Sequence, residues 1–298
     1  MFATLYYAVA TAKWCKRKNR LPLFVSSNEY LVDEKRGNNW IEYFFDYNFF
    51  GDDYRKHFDT ADLFEIKDRR SLNRYLSYLP YFDIQNRFSS ISECAQLFLE
   101  HLSIKPEICA EVDAFVDAHM GHGPTVGVHY RGTDKHYDEA DPVGFEQVIH
   151  AVAKYGGEAP KVFLATDDAA LPGVLRERFG AESVIMRREP SGLSHHEDLS
   201  DNYTKGRDAL IDCLLLSRCQ LLIKTPSQLS AWSKVFNLDL KLVLLGEPYK
   251  RAHNFEFRGK WYEFHIPLKN KGYYPESALY APGASKMRAN GVLEIIPR

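Results

Sequence analysis

The alternation of short apolar segments with helical segments over residues 120–250 constrains the fold of this chain more than any other feature. Each apolar segment has the length of a buried strand, and each intervening segment has the apolar spacing of an amphipathic helix. Strands joined by helical crossovers form a mostly parallel sheet with helices on both faces. The predicted strands are Thr125–Tyr130, Lys161–Asp168, Glu182–Met186, Gln220–Lys224 and Leu240–Leu245. We therefore predict an α/β protein with a doubly wound, Rossmann-like domain at residues 120–250.

The remainder of the chain has weaker periodicity. Residues 1–119 begin with a predicted helix and contain one predicted strand, Leu21–Ser26, and we expect them to form a second α/β domain. Two further helices are predicted at residues 90–101 and 106–119. Residues 251–298 are rich in aromatic and basic side chains, and we expect them to pack back onto the two domains.

Composition excludes several classes of protein. The chain of 298 residues has a net charge of -2, so no basic excess points to a nucleic-acid partner. No apolar run reaches the length of a transmembrane helix. The 5 cysteines form no CxxC pair, which fits reduced thiols better than disulfides or a zinc site. We therefore expect a cytoplasmic protein without an integral membrane segment.

Polar side chains lie at the carboxyl ends of three of the predicted strands. In an open parallel sheet, ligands bind beyond the carboxyl ends of the strands, so these side chains are expected to meet at one edge. They are His129, Arg131, Asp134 and Lys135 at the end of the first strand, Asp167 and Asp168 at the end of the second, and Thr225, Ser227 and Gln228 at the end of the fourth. Each group also has an ordinary structural explanation, as a core histidine, a local ion pair or a helix cap.

The residue types at this edge suit a diphosphate and a base. Arg131 presents a planar fork of donors that matches a phosphate group. Thr225-Pro226-Ser227 predicts an N-cap followed by proline at the first helical position, which leaves backbone N–H groups directed at an anion. Asp212, on the preceding helix, is either an exposed helix residue or a carboxylate that accepts paired N–H donors from a base such as guanine.

Several motifs are absent from the sequence. It has no GxxxxGK[ST], GxGxxG or GxSxG stretch, which argues against P-loop NTPases, dinucleotide enzymes and α/β-hydrolases. The closely spaced histidines have no convincing ligand partners, and no DxD stretch occurs. We therefore expect neither a metal ion nor a bound cofactor.

The stretch HYRGTDK at residues 129–135 resembles the His-x-Arg-x-Thr-Asp-Lys signature of the α1,6-fucosyltransferases. That superfamily includes nodulation fucosyltransferases and, more distantly, protein O-fucosyltransferases. FLATDD at residues 163–168 resembles its second motif, and residues 206–228 resemble its third, with an Arg, an Asp five residues later and a Thr/Ser-Gln turn after a strand. NNWIEYFFD near residue 40 is similar to the N-terminal part of these proteins. The resemblance implies a GT-B-like fold of two Rossmann-like domains, with GDP-fucose bound mainly by the C-terminal one and residues 1–119 on the acceptor side.

The resemblance also implies the reaction and a role for individual residues. Fucose would move from GDP-fucose to a glycan hydroxyl with inversion, without a metal, in an α1,6-type linkage. Arg131 is expected to grip the β-phosphate, and His129 and Asp212 to read guanine. The remaining donor-binding residues are Asp167 and Asp168 of the second motif and Thr225, Ser227 and Gln228 of the third. Glu139 is expected to act as the base for the acceptor hydroxyl, supported by Asp134 and Lys135, with Asp138 and Asp141 as alternatives.

Two features depart from the family pattern. The family's glycine-rich loop near the N-terminus is not seen, so a first strand and this loop are expected to be missing, and Pro226 stands where the family often has an aromatic residue or Ser. Two other functions stay open: a related glycosyltransferase that uses another nucleotide sugar, and a non-catalytic nucleotide-sugar-binding protein. The expected partners are a nucleotide-sugar donor and an oligosaccharide or glycan acceptor.

Overall fold

The computed structural model of the protein describes most of the chain outside residues 50–90 and the C-terminal segment. The described residues are 1–17, 21–22, 24, 26, 31–49, 91–121, 123–132, 143–157, 159–193, 201–225 and 227–245, with the backbone of 253–257, 260–264, 285–287 and 293–295. Of the predicted strand Leu21–Ser26, residues 21, 22, 24 and 26 are described, and none of these four lies in a strand.

Helices dominate the described part of the N-terminal half. In chain order the elements are α1 (Phe2–Arg17), α2 (Ile41–Phe44), β1 (Phe45–Tyr47), α3 (Ile91–His101), β2 (Leu102–Ile104) and α4 (Pro106–Phe115). Strands β1 and β2 pair antiparallel. Helix α4 begins with proline at its first turn, where the missing N–H costs no hydrogen bond, and continues into a π-helical turn, Val116–Met120.

The C-terminal half contains the predicted alternation of strands and helices. Its elements are β3 (Thr125–Tyr130), α5 (Phe145–Gly156), β4 (Lys161–Thr166), α6 (Leu171–Phe179), β5 (Val184–Ile185), α7 (Asn202–Ser217), β6 (Leu221–Lys224), α8 (Gln228–Phe236) and β7 (Lys241–Leu244). A short 3-10 turn, Ala181–Ser183, precedes β5. Each predicted strand of residues 120–250 is thereby confirmed, with ends that differ by a few residues, and a helix lies between each strand and the next.

The five strands form a parallel sheet in the order β5-β4-β3-β6-β7. The chain moves outward from β3 to β5 on one side and then returns to add β6 and β7 on the other side. The sheet is extended beyond β7 by two antiparallel strands, β10 (Ser285–Met287) and β11 (Leu293–Ile295), while β8 (His253–Phe257) and β9 (Lys260–Phe264) pair with each other. The direction of strand addition therefore reverses between β3 and β6.

Helices cover both faces of the parallel sheet, and this is why all six residues of β3 are buried. Val126, Val128 and Tyr130 point to the face that packs against α5 and α6. Gly127 lies under α7, where an added Cβ would come within 3.1 Å of Cys219 Sγ. The sequence of β3 is therefore apolar without alternation, as expected for a strand in the middle of a three-layer domain.

The N-terminal helices pack on the same sheet face as α7 and α8. Buried residues of α1 and α3 belong to one hydrophobic cluster with those of α7 and α8. Trp232 of α8 shows the contact directly, because its indole N–H donates to the carbonyl of Phe2 at 3.1 Å and its ring meets Phe98 of α3 edge-on. The domain boundary at residue 120 remains a prediction. No helix in the described part of the chain is both long and apolar enough to cross a membrane.

Candidate functional site

The candidate site lies where the strand order reverses, at the carboxyl ends of β3 and β6. The backbone N–H of Arg131, which follows β3, donates to Thr225 Oγ1, which follows β6, at 3.0 Å. The N–H of Thr225 in turn donates to the carbonyl of His129 at 3.0 Å. Two hydrogen bonds therefore join the strand ends that border the crevice in which open α/β sheets bind ligands.

A second link joins β3 to β4 through Asp167. The N–H of Gly132 donates to Asp167 Oδ1 at 2.7 Å, and Arg131 Nε lies 3.7 Å from Asp167 Oδ2. Because the Arg131 side chain is 27% exposed, its guanidinium is held by this carboxylate while part of its donor fork still reaches solvent. The described partner of Arg131 is thus Asp167 at the end of the neighbouring strand, whereas Asp134, with which the sequence suggested a local ion pair, lies outside the described residues.

A cleft opens beside these strand ends, and four of the predicted binding residues line it: His129, Arg131, Asp167 and Asp212. The opposite wall is formed by residues that follow β5, including Arg188, Glu189 and Ser191. Helix α7 contributes Lys205, Ala209 and Asp212, whose spacing puts them on one face of the helix. The cleft thus combines cationic and anionic side chains from four separate parts of the chain.

Asp168 does not line the cleft. Its Oδ1 accepts the backbone N–H groups of Ala170 at 2.8 Å and Leu171 at 3.2 Å, at the start of α6. A carboxylate is favourable there because the first N–H groups of a helix have no partner within the helix. In the described structure Asp168 is a helix cap, which was one of the two explanations that the sequence left open.

Thr225, Ser227 and Gln228 also lie outside the cleft lining, and the predicted helix start at Thr225 is wrong. Helix α8 begins at Gln228, with Ser227 as its N-cap residue in an extended conformation. Thr225 continues the sheet instead, since its N–H bonds to His129 and its hydroxyl oxygen accepts from Arg131. The threonine therefore fixes the strand ends, and its hydroxyl proton remains to be donated.

Asp212 sits in a cluster of alternating charges. Arg187 Nε donates to Asp212 Oδ1 at 3.3 Å, another nitrogen of the same guanidinium bonds to Asp208, and a third lies 3.6 Å from Glu111 Oε1. Burial raises the pKa of Asp212, while the positive charges of Arg187 and Arg188 oppose this and Asp208 adds to it. Burial alone would lower the pKa of Arg187, but the carboxylates of Asp212 and Asp208 outweigh it and raise the pKa. Asp212 is thus a partly buried carboxylate rather than an exposed helix residue.

The sequence analysis did not identify the cleft residues that follow β5. Arg188, Glu189 and Ser191 lie beyond the carboxyl end of a predicted strand, as Arg131 does, so the same rule about strand ends would have found them. Lys205 had a weaker signal, the spacing of three and four residues that connects it through Ala209 to Asp212 on one helix face. What no local pattern shows is that this helix face turns toward the cleft.

The predicted base, Glu139, lies outside the described residues, as do Asp134, Lys135 and the alternatives Asp138 and Asp141. Among the described residues, no group of three or more His, Cys, Asp or Glu side chains is arranged to hold a metal ion. All five cysteines lie in the described part and are free thiols.

These features define a doubly wound α/β fold with a cleft at the reversal point of the sheet. No protein-family model and no curated protein matches the sequence. Solved structures do match: NodZ α-1,6-fucosyltransferase soaked with GDP-fucose (TM-score 0.53, 19% identity, 80% of this chain and 90% of that one) and the same enzyme co-crystallized with GDP (TM-score 0.56, 18% identity, 87% and 93%). Fucosyltransferase NodZ from Bradyrhizobium matches with a TM-score of 0.53, 18% identity and coverage of 80% and 90%. The chain therefore has the α/β, GT-B-like fold of these fucosyltransferases, as its sequence resemblance implied.

Proposed function

We propose that this protein is an inverting glycosyltransferase that moves fucose from GDP-fucose to a hydroxyl group of a glycan acceptor, without a metal ion and in an α1,6-type linkage. The observation that carries the proposal is the joining of Arg131, Thr225 and Asp167 at the reversal point of the sheet. The structures that share the fold support it, because one of them was soaked with GDP-fucose and another was co-crystallized with GDP.

The diphosphate would lie against Arg131 and Thr225. The guanidinium is a permanent cation with paired donors that match two phosphate oxygens. The Thr225 hydroxyl oxygen accepts from the backbone of Arg131, so its own proton remains to be donated to a phosphate oxygen. The start of α8 at Ser227 and Gln228 adds backbone N–H groups of the sign that a phosphate requires.

The base would lie deeper, against His129 and Asp212. Both side chains line the cleft, and Asp212 keeps one carboxylate oxygen for a ligand in addition to the one that Arg187 contacts. Each carboxylate oxygen has two lone pairs, so Asp212 can accept the two adjacent N–H donors of guanine while Oδ1 also accepts from Arg187. Adenine and uracil do not present that pair of donors. We therefore expect selectivity for guanine nucleotides.

The chemical step follows from the charges. As the bond from fucose to GDP breaks, negative charge grows on the diphosphate, and the Arg131 guanidinium with the N–H and hydroxyl donors stabilises it. The acceptor hydroxyl attacks from the opposite face of an oxocarbenium-like fucosyl group and loses its proton to a carboxylate. We assign that carboxylate to Glu139, on the resemblance of residues 129–135 and the segment after it to the family signature.

The test is calorimetric titration with GDP, with and without magnesium, against UDP and ADP. We expect GDP to bind in the absence of magnesium and more tightly than either of the other nucleotides. Selectivity for UDP or ADP would favour a related transferase with another nucleotide sugar. Guanine-selective binding without release of fucose from GDP-fucose to any glycan in an acceptor screen would favour a non-catalytic binding protein. Absence of binding to all three nucleotides would contradict the proposal.

The proposal extends to the cellular compartment and the partners of the enzyme. We propose a cytoplasmic enzyme, because the chain carries five free thiols and an oxidising compartment would favour disulfides. Its partners would be the nucleotide sugar and an oligosaccharide, and the near-neutral charge of -2 argues against nucleic acid.

A further inference from the structure

The charge cluster behind the cleft contains an arginine that the proposed chemistry does not use. Arg187 follows β5, and its side chain is only 15% exposed. Its three nitrogens contact three different carboxylates: Nε contacts Asp212, Nη2 contacts Asp208, and Nη1 contacts Glu111. A planar guanidinium held at all three nitrogens has a fixed orientation, so its position beside Asp212 is determined by the surrounding structure.

Asp208 and Asp212 are one turn apart on α7, which is why a single guanidinium reaches both. The cluster as a whole is balanced. Glu111 also pairs with Arg207, and Asp208 also pairs with Arg188, so three cations meet three anions. Within the described residues, Asp212 has Arg187 as its hydrogen-bond partner and uses only Oδ1 for it. No described group bonds to the other oxygen, Oδ2, and Asp212 is one of the residues that line the cleft.

We propose that Arg187 is a positioning residue, which fixes the Asp212 carboxylate so that it presents its second oxygen to the base of the bound nucleotide. The inference rests on the proposed function, since it assumes that Asp212 reads the base. To bind the base, Asp212 needs a cationic partner, because a carboxylate without one in this position would be desolvated, free to rotate and easily protonated.

The charges around Asp212 determine how its protonation responds to the loss of Arg187. Arg187 and Arg188 face it from the segment after β5, and Asp208 faces it from its own helix. His129, Lys205 and Glu189 line the same cleft. Burial and Asp208 both raise the pKa of Asp212, so removal of Arg187 shifts the pKa further upward. A protonated Asp212 accepts less well from two N–H donors. As the pH is lowered, GDP affinity should therefore begin to fall at a higher pH in the protein without Arg187 than in wild type.

The experiment compares Arg187→Gln with wild type by titration with GDP and ADP between pH 5 and pH 8. We expect GDP affinity at pH 8 to fall by about 10- to 100-fold, the range for a hydrogen bond to a charged group, while the weaker ADP affinity changes little. We also expect the acid midpoint of GDP binding to move to higher pH. Arg207→Gln is the matched control, because it too removes an ion pair with Glu111 but does not touch Asp212. This control should keep the wild-type selectivity and pH profile.

A second variant covers the case in which Arg187→Gln does not fold, as judged by its thermal melting. Arg187→Lys keeps the positive charge but loses the fork, so GDP affinity should fall while the acid midpoint stays near that of wild type. When Asp212→Asn is already present, adding Arg187→Gln should cause no further loss of GDP affinity, because the carboxylate that Arg187 positions is absent. Wild-type GDP selectivity with unchanged affinity and pH profile in both Arg187 variants would overturn this inference and leave the proposed function intact. Failure of wild type itself to prefer GDP would overturn both.

Discussion

Gly132 occupies a place where no side chain fits, and this gives the sharpest test of the site geometry. An ideal Cβ at this position would lie 2.6 Å from Asp168 Oδ2, 2.7 Å from Tyr130 Cε1 and 2.9 Å from Asp168 Cβ. Real Cβ atoms essentially never make contacts under 3.0 Å, so Gly132→Ala requires a neighbour to move. The glycine is therefore needed for close approach, and its position after Arg131 is part of the site.

Neither neighbour moves freely. Asp168 is held by the two N–H groups that it caps at the start of α6, and Tyr130 is held by its hydroxyl, which donates to the carbonyl of Val143 at 2.7 Å. Loss of the cap costs about 1 kcal/mol. Overpacking of a close-packed site costs about 1–3 kcal/mol. We therefore expect Gly132→Ala to lower the free energy of unfolding by about 2–4 kcal/mol, unless the backbone of residue 132 shifts instead.

A backbone shift would be visible in binding. The N–H of Gly132 donates to Asp167, and Arg131 is the preceding residue, so a displacement of about 1 Å would cost on the order of 100-fold in activity. The assay is urea denaturation together with GDP titration and measurement of fucose transfer from GDP-fucose on the same preparation. Gly173→Ala is the control, because an added Cβ there meets nothing within 4 Å and alanine in a helix is favoured by about 1 kcal/mol. The close-packing argument is refuted if Gly132→Ala matches wild type in both stability and GDP affinity.

Three further predictions concern the reaction and the pH dependence of stability. Arg131→Ala should remove most of the transferase activity, because the guanidinium faces charge that grows in the transition state; turnover close to wild type would contradict its assignment to the phosphate. Glu139→Gln should keep GDP-fucose binding and lose transfer, and if Asp138→Asn behaves in this way instead, the base has been misassigned. Burial lowers the pKa of Lys234 to about 8, and the negative charge of Asp239 partly offsets this effect. Between pH 8 and 10.5 the folded state has therefore released a proton that the unfolded state still binds. The unfolding free energy of wild type minus that of Lys234→Met should therefore rise by about 3 kcal/mol over this window, and a flat difference would rule out a buried amine that folds in its neutral form.

The sequence by itself determined the architecture of the C-terminal half. Strands that are buried on both faces are apolar throughout, and the helices between them have their own period, so the order of elements from β3 to β7 can be read locally. The carboxyl ends of parallel strands lie at one edge of the sheet, so the sequence also predicts that Arg131, Asp167 and Thr225 lie close together. These predictions succeeded because each depends on short stretches of chain and on one general property of parallel sheets.

Only the tertiary structure decided what each polar group does at that edge. Asp167 and Asp168 are neighbours of the same type, yet one binds Gly132 and Arg131 while the other caps α6. Asp212 lines the cleft because α7 presents that face to it, and Arg187 reaches Asp212 from the segment after β5, which is distant in sequence. The physical reason is that hydrogen bonds and ion pairs depend on distances of a few ångströms, and contacts between distant residues are set by how helices and strands pack. Periodicity predicts which elements form, whereas the assignment of partners requires the packed structure.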